Sequence, residues 1–379
     1  MKCISFLGLS FLLATALSAQ NPTNLQVISY STPTDPVNIS EHLQYHGAMV
    51  IDSTIPFLPG IVQYIPTPKY LILFQKNSEN NEFLWFLDKN NGRLSHKVEL
   101  TAGKEGRAFE SFFYRSDQDL LYGLSFDGPA LMTYSGDGQF KKSVQLTKPY
   151  TKAVSLPNGD FLAEPFYNVN EKKEYHHVER ISESGQVLAQ YFPYNNPESQ
   201  GFLPGLISFL GYSGGDIYGK WSGNDTLFSY KDGVFVPKLV FKLNNPFFGI
   251  EEKAINEIAL NSTAFIQGIL VSKEVLLYSA VDLQYPAHYG YMNSQTGQYI
   301  NSSKTPPGPL DEILKESRFI NTDPGQFMLA IRPEHAKKML EDNNSSVLFY
   351  LKEQFPAIVD TLAQAARLGR TCVVYFKVK

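Results

Sequence analysis

LWFLDKNNGRLSHKVEL, residues 84–100, decides the fold: two strand-like runs meet at an Asn-Gly turn, Asn91-Gly92. Asn-Gly between alternating apolar residues is the strongest short-range signal for a β-hairpin, because the turn needs positive φ, which Gly adopts at little cost and Asn tolerates. The same unit recurs. ALMTYSGDGQFKKSVQL (130–146) turns at Asp137-Gly138, and HVERISESGQVLAQYFPY (177–194) turns at Ser184-Gly185. TLFSYKDGVFVPKLVF (226–241) turns at Asp232-Gly233, and YGYMNSQTGQYINSS (289–303) turns at Thr296-Gly297. The first four glycines stand 46, 47 and 48 residues apart, and the last gap is 64. A near-constant period of this length is that of a four-stranded propeller blade. Between the hairpins lie the other strands, with 70–75 (YLILFQ), 120–126 (LLYGLSF), 160–166 (DFLAEPF) and 275–281 (VLLYSAV) the clearest. Such continuous apolar runs suit strands covered on both faces.

Composition agrees. Aromatic residues reach 13% and charged residues only 18%, with Phe (27) and Tyr (22) abundant. These side chains fit pleated, half-buried surfaces. The formal charge is −4 and is spread along the chain, against the clustered basic face that nucleic-acid binding requires. Residues 1–19 read as a secretory signal. Lys2 precedes a short apolar run, Ile4 to Leu17, and Leu17-Ser18-Ala19 supplies small residues for cleavage. The run is too short to be a comfortable membrane span, and no later segment is long enough. Cleavage would remove Cys3, leaving Cys372 without a disulfide partner, so the core must hold the fold. Residues 20–379 then form one propeller domain, exported to the periplasm or the cell exterior.

The tail departs from the repeat. Residues 333–342 (PEHAKKMLED) and 355–368 (FPAIVDTLAQAARL) read as helices, the second with Pro356 in its first turn and Gly369 at its stop. A final strand, 371–379 (TCVVYFKVK), follows. A partly helical insertion over 332–369 therefore interrupts the last blade. An N-terminal strand, 25–30 or 48–55, is expected to close it. Five hairpin units plus this closing unit give an all-β propeller of six blades, seven being the other count.

The stretch 223–243 (GNDTLFSYKDGVFVPKLVFKL), the terminal strand TCVVYFKVK and the leader ending Ser-Ala before Gln20 resemble the secreted six-bladed β-propeller family of Bacteroidetes. The resemblance implies an exported propeller and carries no catalytic meaning. Many of that family are lipoproteins, whereas this chain has no cysteine at the end of its apolar run. Many also have Pro before the closing strand, where this chain has Thr371-Cys372.

Catalytic motifs are few. His176-His177 is the only adjacent histidine pair, and neighbours on a strand point to opposite faces, so no metal site is expected. There is no G-x-S-x-G elbow and no phosphate-binding glycine loop, and no cofactor is expected. Cys372 lies among apolar residues and reads as a small core hydrophobe. The repeated Asp-box of sialidase-like propellers is missing; Ser135-Gly136-Asp137-Gly138 shares only a fragment of it, and Asp137 reads as a turn residue. Gly211 to Gly215 reads as a loop between blades. Two polar-aromatic segments, 191–202 (YFPYNNPESQGF) and 284–291 (QYPAHYGY), are the best places for a ligand, with Tyr194, Tyr285, His288 and Tyr289 the contact residues; the other and favoured reading is that these aromatics seal the gaps between blades. A glycan, a peptide or another envelope protein would suit them. The function expected is a binding or scaffold module of the cell envelope, more than an enzyme. The other reading is a secreted glycan hydrolase or lyase with carboxylates at the channel mouth.

Overall fold

A computed structural model describes residues 26–29, 43–55, 61–77, 81–100, 108–166, 175–194, 209–213, 216–221, 226–242, 265–271, 275–282, 285–293, 299–301, 318–323, 326–341 and 346–378. Two strands open the chain, β1 (Gln26–Ser29) and β2 (Leu43–Val50). Consecutive antiparallel sheets follow. The first comprises β3 (Ile61–Pro66), β4 (Tyr70–Lys76), β5 (Glu82–Asp88) and β6 (Leu94–Leu100). The second has β7 (Phe109–Arg115), β8 (Leu120–Ser125), β9 (Ala130–Ser135) and β10 (Phe140–Gln145). The third has β11 (Tyr150–Ser155), β12 (Phe161–Pro165), β13 (Tyr175–Ile181) and β14 (Val187–Tyr194). β15 (Phe209–Ser213), β16 (Asp216–Lys220), β17 (Thr226–Lys231) and β18 (Val234–Lys242) come next, with β1 added in parallel outside β18. β19 (Phe265–Val271), β20 (Val275–Asp282), β21 (Tyr285–Asn293) and β22 (Tyr299–Asn301) form another sheet. The last is β23 (Arg318–Asp323), β24 (Gln326–Ile331), β25 (Cys372–Val378) and, from the other end of the chain, β2. Among the described residues, five sheets thus have four strands and one has five.

The arrangement is a β-propeller. First strands lie together at the centre, with β7 against β3 and β11, β15 against β11 and β19, and β23 against β3. Buried side chains fill the seams between sheets. Ile72, Phe74 and Phe86 of the first sheet meet Phe109, Phe112 and Tyr134 of the second. Tyr122, Leu124 and Leu131 meet Tyr150, Phe161 and Ile181. Val154, Leu162 and Val178 meet Leu210, Ile217 and Trp221. Met328, Val373 and Tyr375 of the last sheet meet Leu71, Leu73 and Leu87 of the first, which closes the ring. Burial falls from inside to outside. β4 (YLILFQK) is buried along nearly its whole length, while β6 (LSHKVEL) alternates and β10 (FKKSVQ) is largely exposed.

The turn glycines serve this packing. Gly138 has φ +85°, and a Cβ there would stand 2.7 Å from the Phe86 ring and 2.8 Å from Val98 on the preceding sheet. Gly185 has φ +82°, and its Cβ would stand 2.8 Å from the Gln145 carbonyl. The turns at Gly138 and Gly185 therefore rest on the outer part of the sheet before them, which is a reason for glycine at these two positions of the repeat. The longer gap before Gly297 has a separate cause: 22 residues, 243–264, join β18 to β19.

Closure departs from expectation in detail. β25 pairs with β2 over Leu43–Val50, so neither 25–30 nor 48–55 is the closing strand, although the second overlaps it. β1, inside 25–30, instead joins β18. Gly211 belongs to β15, a first strand that pairs with β16, so 211–213 is strand and not a loop between blades, and 214–215 lie outside the described residues. The insertion holds α1 (Pro333–Glu341), α2 (Ser346–Gln354) and α3 (Pro356–Leu368). α1 and α3 match expectation, and Gly369 caps α3 in the left-handed conformation (φ 63°). α2 (SVLFYLKEQ) carries the β-branched and aromatic residues of a strand, yet burial of Leu348 and Leu351 makes it helical. Ile358, Leu362 and Ala365 of α3 pack with Leu329, Ile331, Val374 and Phe376, covering the face of the last sheet turned away from the first. Cys372 is buried there, and burial pushes its thiol up to about 12, so it packs as a hydrophobe.

Candidate binding face

The strand order gives the propeller two unlike ends. First-to-second and third-to-fourth strand connections share one end, and none exceeds five residues; 89–93, 156–160 and 182–186 are among the longest. The opposite end gathers the second-to-third and fourth-to-first connections. These include 101–108, 166–174, 195–208, 243–264 and 302–317, and the helical insertion between β24 and β25. Binding residues concentrate on long loops carried by a rigid scaffold, so the end with long connections is the candidate face.

At the short-turn end, polar groups tie neighbouring sheets together. The Asp137 carbonyl lies 2.9 Å from His96 Nε2. Asp137 also accepts from Ser135 Oγ within its own turn, as expected of a turn residue. Arg115, at the end of β7, donates to Asp117 at 2.9 Å and to Glu183 of the next sheet at 3.0 Å. The Arg115 hydrogen bond holds the Asp117 carboxyl below its usual range. Closer to the axis, Gln63 Nε2 donates to the Phe112 carbonyl (2.6 Å), and its Oε1 accepts from the Phe112 N–H (2.8 Å), joining β3 to β7. Ser111 Oγ donates to the Thr151 carbonyl at 2.8 Å, joining β7 to β11.

Two buried carboxylates sit in third strands. Glu82 opens β5, accepts from the Phe109 N–H at 3.0 Å and pairs with Lys76 at 3.4 Å. Burial outweighs these partners, and its pKa is raised. Glu179 of β13 accepts from Lys148 Nζ (2.8 Å), Gln190 Nε2 (2.8 Å) and Tyr150 Oη (2.7 Å). Burial alone would raise Glu179 too, but the hydrogen bonds of Lys148, Gln190 and Tyr150 win and its pKa is lowered. No local pattern marks Glu179, because Lys148 and Tyr150 come from the segment that opens the sheet. His176 is buried, and the half-buried His177 stacks with Trp221 at 6.2 Å between centroids. Burial, aided by His176, lowers His177 to about 4, so it is neutral at neutral pH. Among the described residues, no three His, Cys, Asp or Glu side chains gather as metal ligands.

The four residues read as ligand contacts lie on strands of two sheets. Tyr194 is the last residue of β14, opposite Tyr175, and Tyr285 the first of β21, opposite Asp282. Both strand ends belong to the long-connection end. His288 and Tyr289 are further along β21, opposite Ala280 and Ser279. The segment 284–291 is thus mostly strand and not a loop. Pairing of β21 with both β20 and β22 overrides the breaker Pro286, which lies beside an irregularity in the ladder. Residues 191–194 likewise belong to β14, and 195–202 lie outside the described residues, as do the side chains of Tyr194, Tyr285, His288 and Tyr289 and the turn at Thr296-Gly297.

Fold and ends together define a β-propeller with one elaborated face and a helical insertion in its closing sheet. A family model, "Domain of unknown function (DUF4934)", matches residues 102–359, and the chain belongs to that family. Among solved structures it is similar to a "Putative exported protein" from Bacteroides fragilis, with 12% identity, a TM-score of 0.69, and 93% of this chain and 99% of that chain covered. It is also similar to a member of the DUF4221 family from Bacteroides vulgatus, with 11% identity, a TM-score of 0.50, and 89% and 98% covered. At such identities the likeness speaks for the fold. No curated protein matches in sequence. No helix among the described residues is long and apolar enough to cross a membrane.

Proposed function

We propose that the chain is an exported binding or scaffold module of the cell envelope, engaging its ligand at the long-connection end. The single observation that carries this reading is the asymmetry of the two ends. A scaffold that only filled space would have no need of connections such as 195–208 and 243–264 gathered on one side. We take each sheet as one blade, which makes six; contact of β23 with β3 supports that count. Residues 1–19 are the export signal in this reading and 20–379 a single domain, in line with the exported character ascribed to the Bacteroides fragilis protein. The ligand is a glycan, a peptide or a segment of another envelope protein, contacted by Tyr194, Tyr285, His288 and Tyr289.

The test is an array of glycans and peptides probed with the purified chain, followed by titration of each hit against Y194A and H288A. These substitutions are expected to weaken binding by about ten-fold, the scale of one lost aromatic or polar contact. K231A, at the short-turn end, should leave it unchanged. Hits weakened by K231A and untouched by Y194A and H288A would overturn the assignment of the face. Turnover of an array glycan would overturn the non-enzymatic reading.

A further inference from the structure

Trp221 follows β16 directly and opens the connection to β17, so it stands at the long-connection end. It is 2% exposed, and its indole rests on Gly219, where a Cβ would stand 2.3 Å from the ring. Among the described residues no acceptor reaches its Nε1, whereas Trp85 Nε1 donates to Gln75 Oε1 at 2.7 Å. A buried N–H without a partner is rare and asks for a reason. Phe192 is a second irregularity at the same place. It lies two residues before the end of β14, its φ is +57°, and its ring centroid is 4.5 Å from that of Trp221. Asp119 and Asp232, the other non-glycine residues of positive φ among those described, are of a type that tolerates it, and a bulky aromatic residue is not. The pairs His176–Pro193 and Val178–Tyr191 hold the strand on either side, so the departure is local. Phe192 and His177, which stacks on Trp221 at 6.2 Å, are both half-buried, with solvent on one side and the buried indole on the other. Backbone strain of this kind gathers at ligand clamps and switches, and here it coincides with an unmet donor.

We propose that Phe192 is a lid on a sugar subsite whose floor is the indole of Trp221. When Phe192 leaves the left-handed conformation its ring swings off the indole, and the indole face and the Nε1–H become available together. The strain released offsets part of the contact that Phe192 gives up with Trp221, Phe228 and Phe235. A pyranose uses both exposed features: the C–H groups of one ring face stack on the indole, and a hydroxyl oxygen accepts from Nε1. The sugar is a neutral one, because the rings around the indole bring no charge to pair with a charged ligand. His177 is among them, and burial lowers it to about 4, so it too is neutral at neutral pH. This inference rests on the loop-end reading of function and narrows its ligand to a glycan; Tyr194, assigned there as a contact, is two residues beyond Phe192 on the same strand.

The test uses the full chain with its two tryptophans ¹⁵N-labelled, and cellopentaose, xylopentaose and mannopentaose as probes. W221F assigns the two indole N–H signals. In the free chain the Trp221 signal should lie upfield of that of Trp85, as an unbonded donor does. At least one probe should move it downfield saturably and leave Trp85 in place. F192G, in which glycine accepts the positive φ and no ring covers the indole, should bind that probe about ten-fold more tightly, since the closed fraction no longer reduces apparent affinity. W221F, which keeps a ring and loses the donor, should bind it about ten-fold more weakly. A Trp221 signal that no probe shifts, or a W221F chain that binds as the unmodified chain does, would overturn the proposal even if F192G failed to fold. Binding that shifts neither indole and is weakened by Y194A overturns the subsite and leaves the loop-end reading standing. Binding weakened by K231A instead overturns both.

Discussion

Single residues in this propeller do their work by where they press or pair. Gly138 and Gly233 both have positive φ, yet a Cβ at Gly138 would collide with Phe86 and Val98, whereas at Gly233 nothing lies within 4 Å. Gly233→Ala should therefore cost about 1 kcal/mol, and Gly138→Ala about 1–3 kcal/mol more through overpacking of the seam. Chemical denaturation of the two variants checks the difference. Glu82 and Glu179 form a second contrast. The pKa of Glu179 is lowered in the fold, so its contribution is present above the ordinary carboxylate range and is lost as pH falls through the lowered value. The pKa of Glu82 is raised, so its contribution is greatest in acid and is lost as pH rises through the raised value. At pH 7, Glu179→Gln should destabilise by about 1.5–3 kcal/mol, the worth of a charge-assisted hydrogen-bond set. Glu82→Gln should stay within about 1 kcal/mol of the parent, because burial already penalises the charged form that the neutral amide replaces. Melting the three proteins at pH 4 and pH 7 reads both signs.

Whole elements were legible in unequal degree. The hairpins of third and fourth strands could be read because turn chemistry is local: Asp232 and Gly233 both adopt positive φ between β17 and β18. First strands were harder. β15 (FLGYS) is short and glycine-bearing, and it is a strand because β16 hydrogen-bonds to it and Tyr212 Oη reaches the Ser155 carbonyl on β11. β21 likewise reads as a loop until both its neighbours are present. Joins between first strands depend on side chains such as Gln63, whose two hydrogen bonds to Phe112 cross between sheets. Gln63→Ala should destabilise by about 1–3 kcal/mol, chiefly by leaving the Phe112 N–H and carbonyl without that partner. Hydrogen exchange should show the loss at Phe112 before it shows at β6.

At the scale of the whole molecule, the ring is closed by residues from opposite ends of the chain. β2 and β25 pair over seven registered positions. Ile51 N–H then bonds to the Thr371 carbonyl, and Arg370 Nη1 to the Asp52 carbonyl at 3.0 Å. The helical insertion covers the remaining face of the closing sheet. Together these contacts place the two ends of the chain in one structural unit, and the loop end of the propeller depends on that closure for its rigidity.

The amino-acid order by itself determined the propeller class, the blade period, most hairpins and the helical tail. Turn preference, strand propensity and helix stops act within a few residues and leave a local mark. Only the tertiary structure decided that β2 closes the ring, that β1 lies on β18, that α2 is a helix and that Glu82 and Glu179 are buried with opposite pKa shifts. Those outcomes depend on partners tens to hundreds of residues away, whose contact free energies appear only once the chain has brought them together.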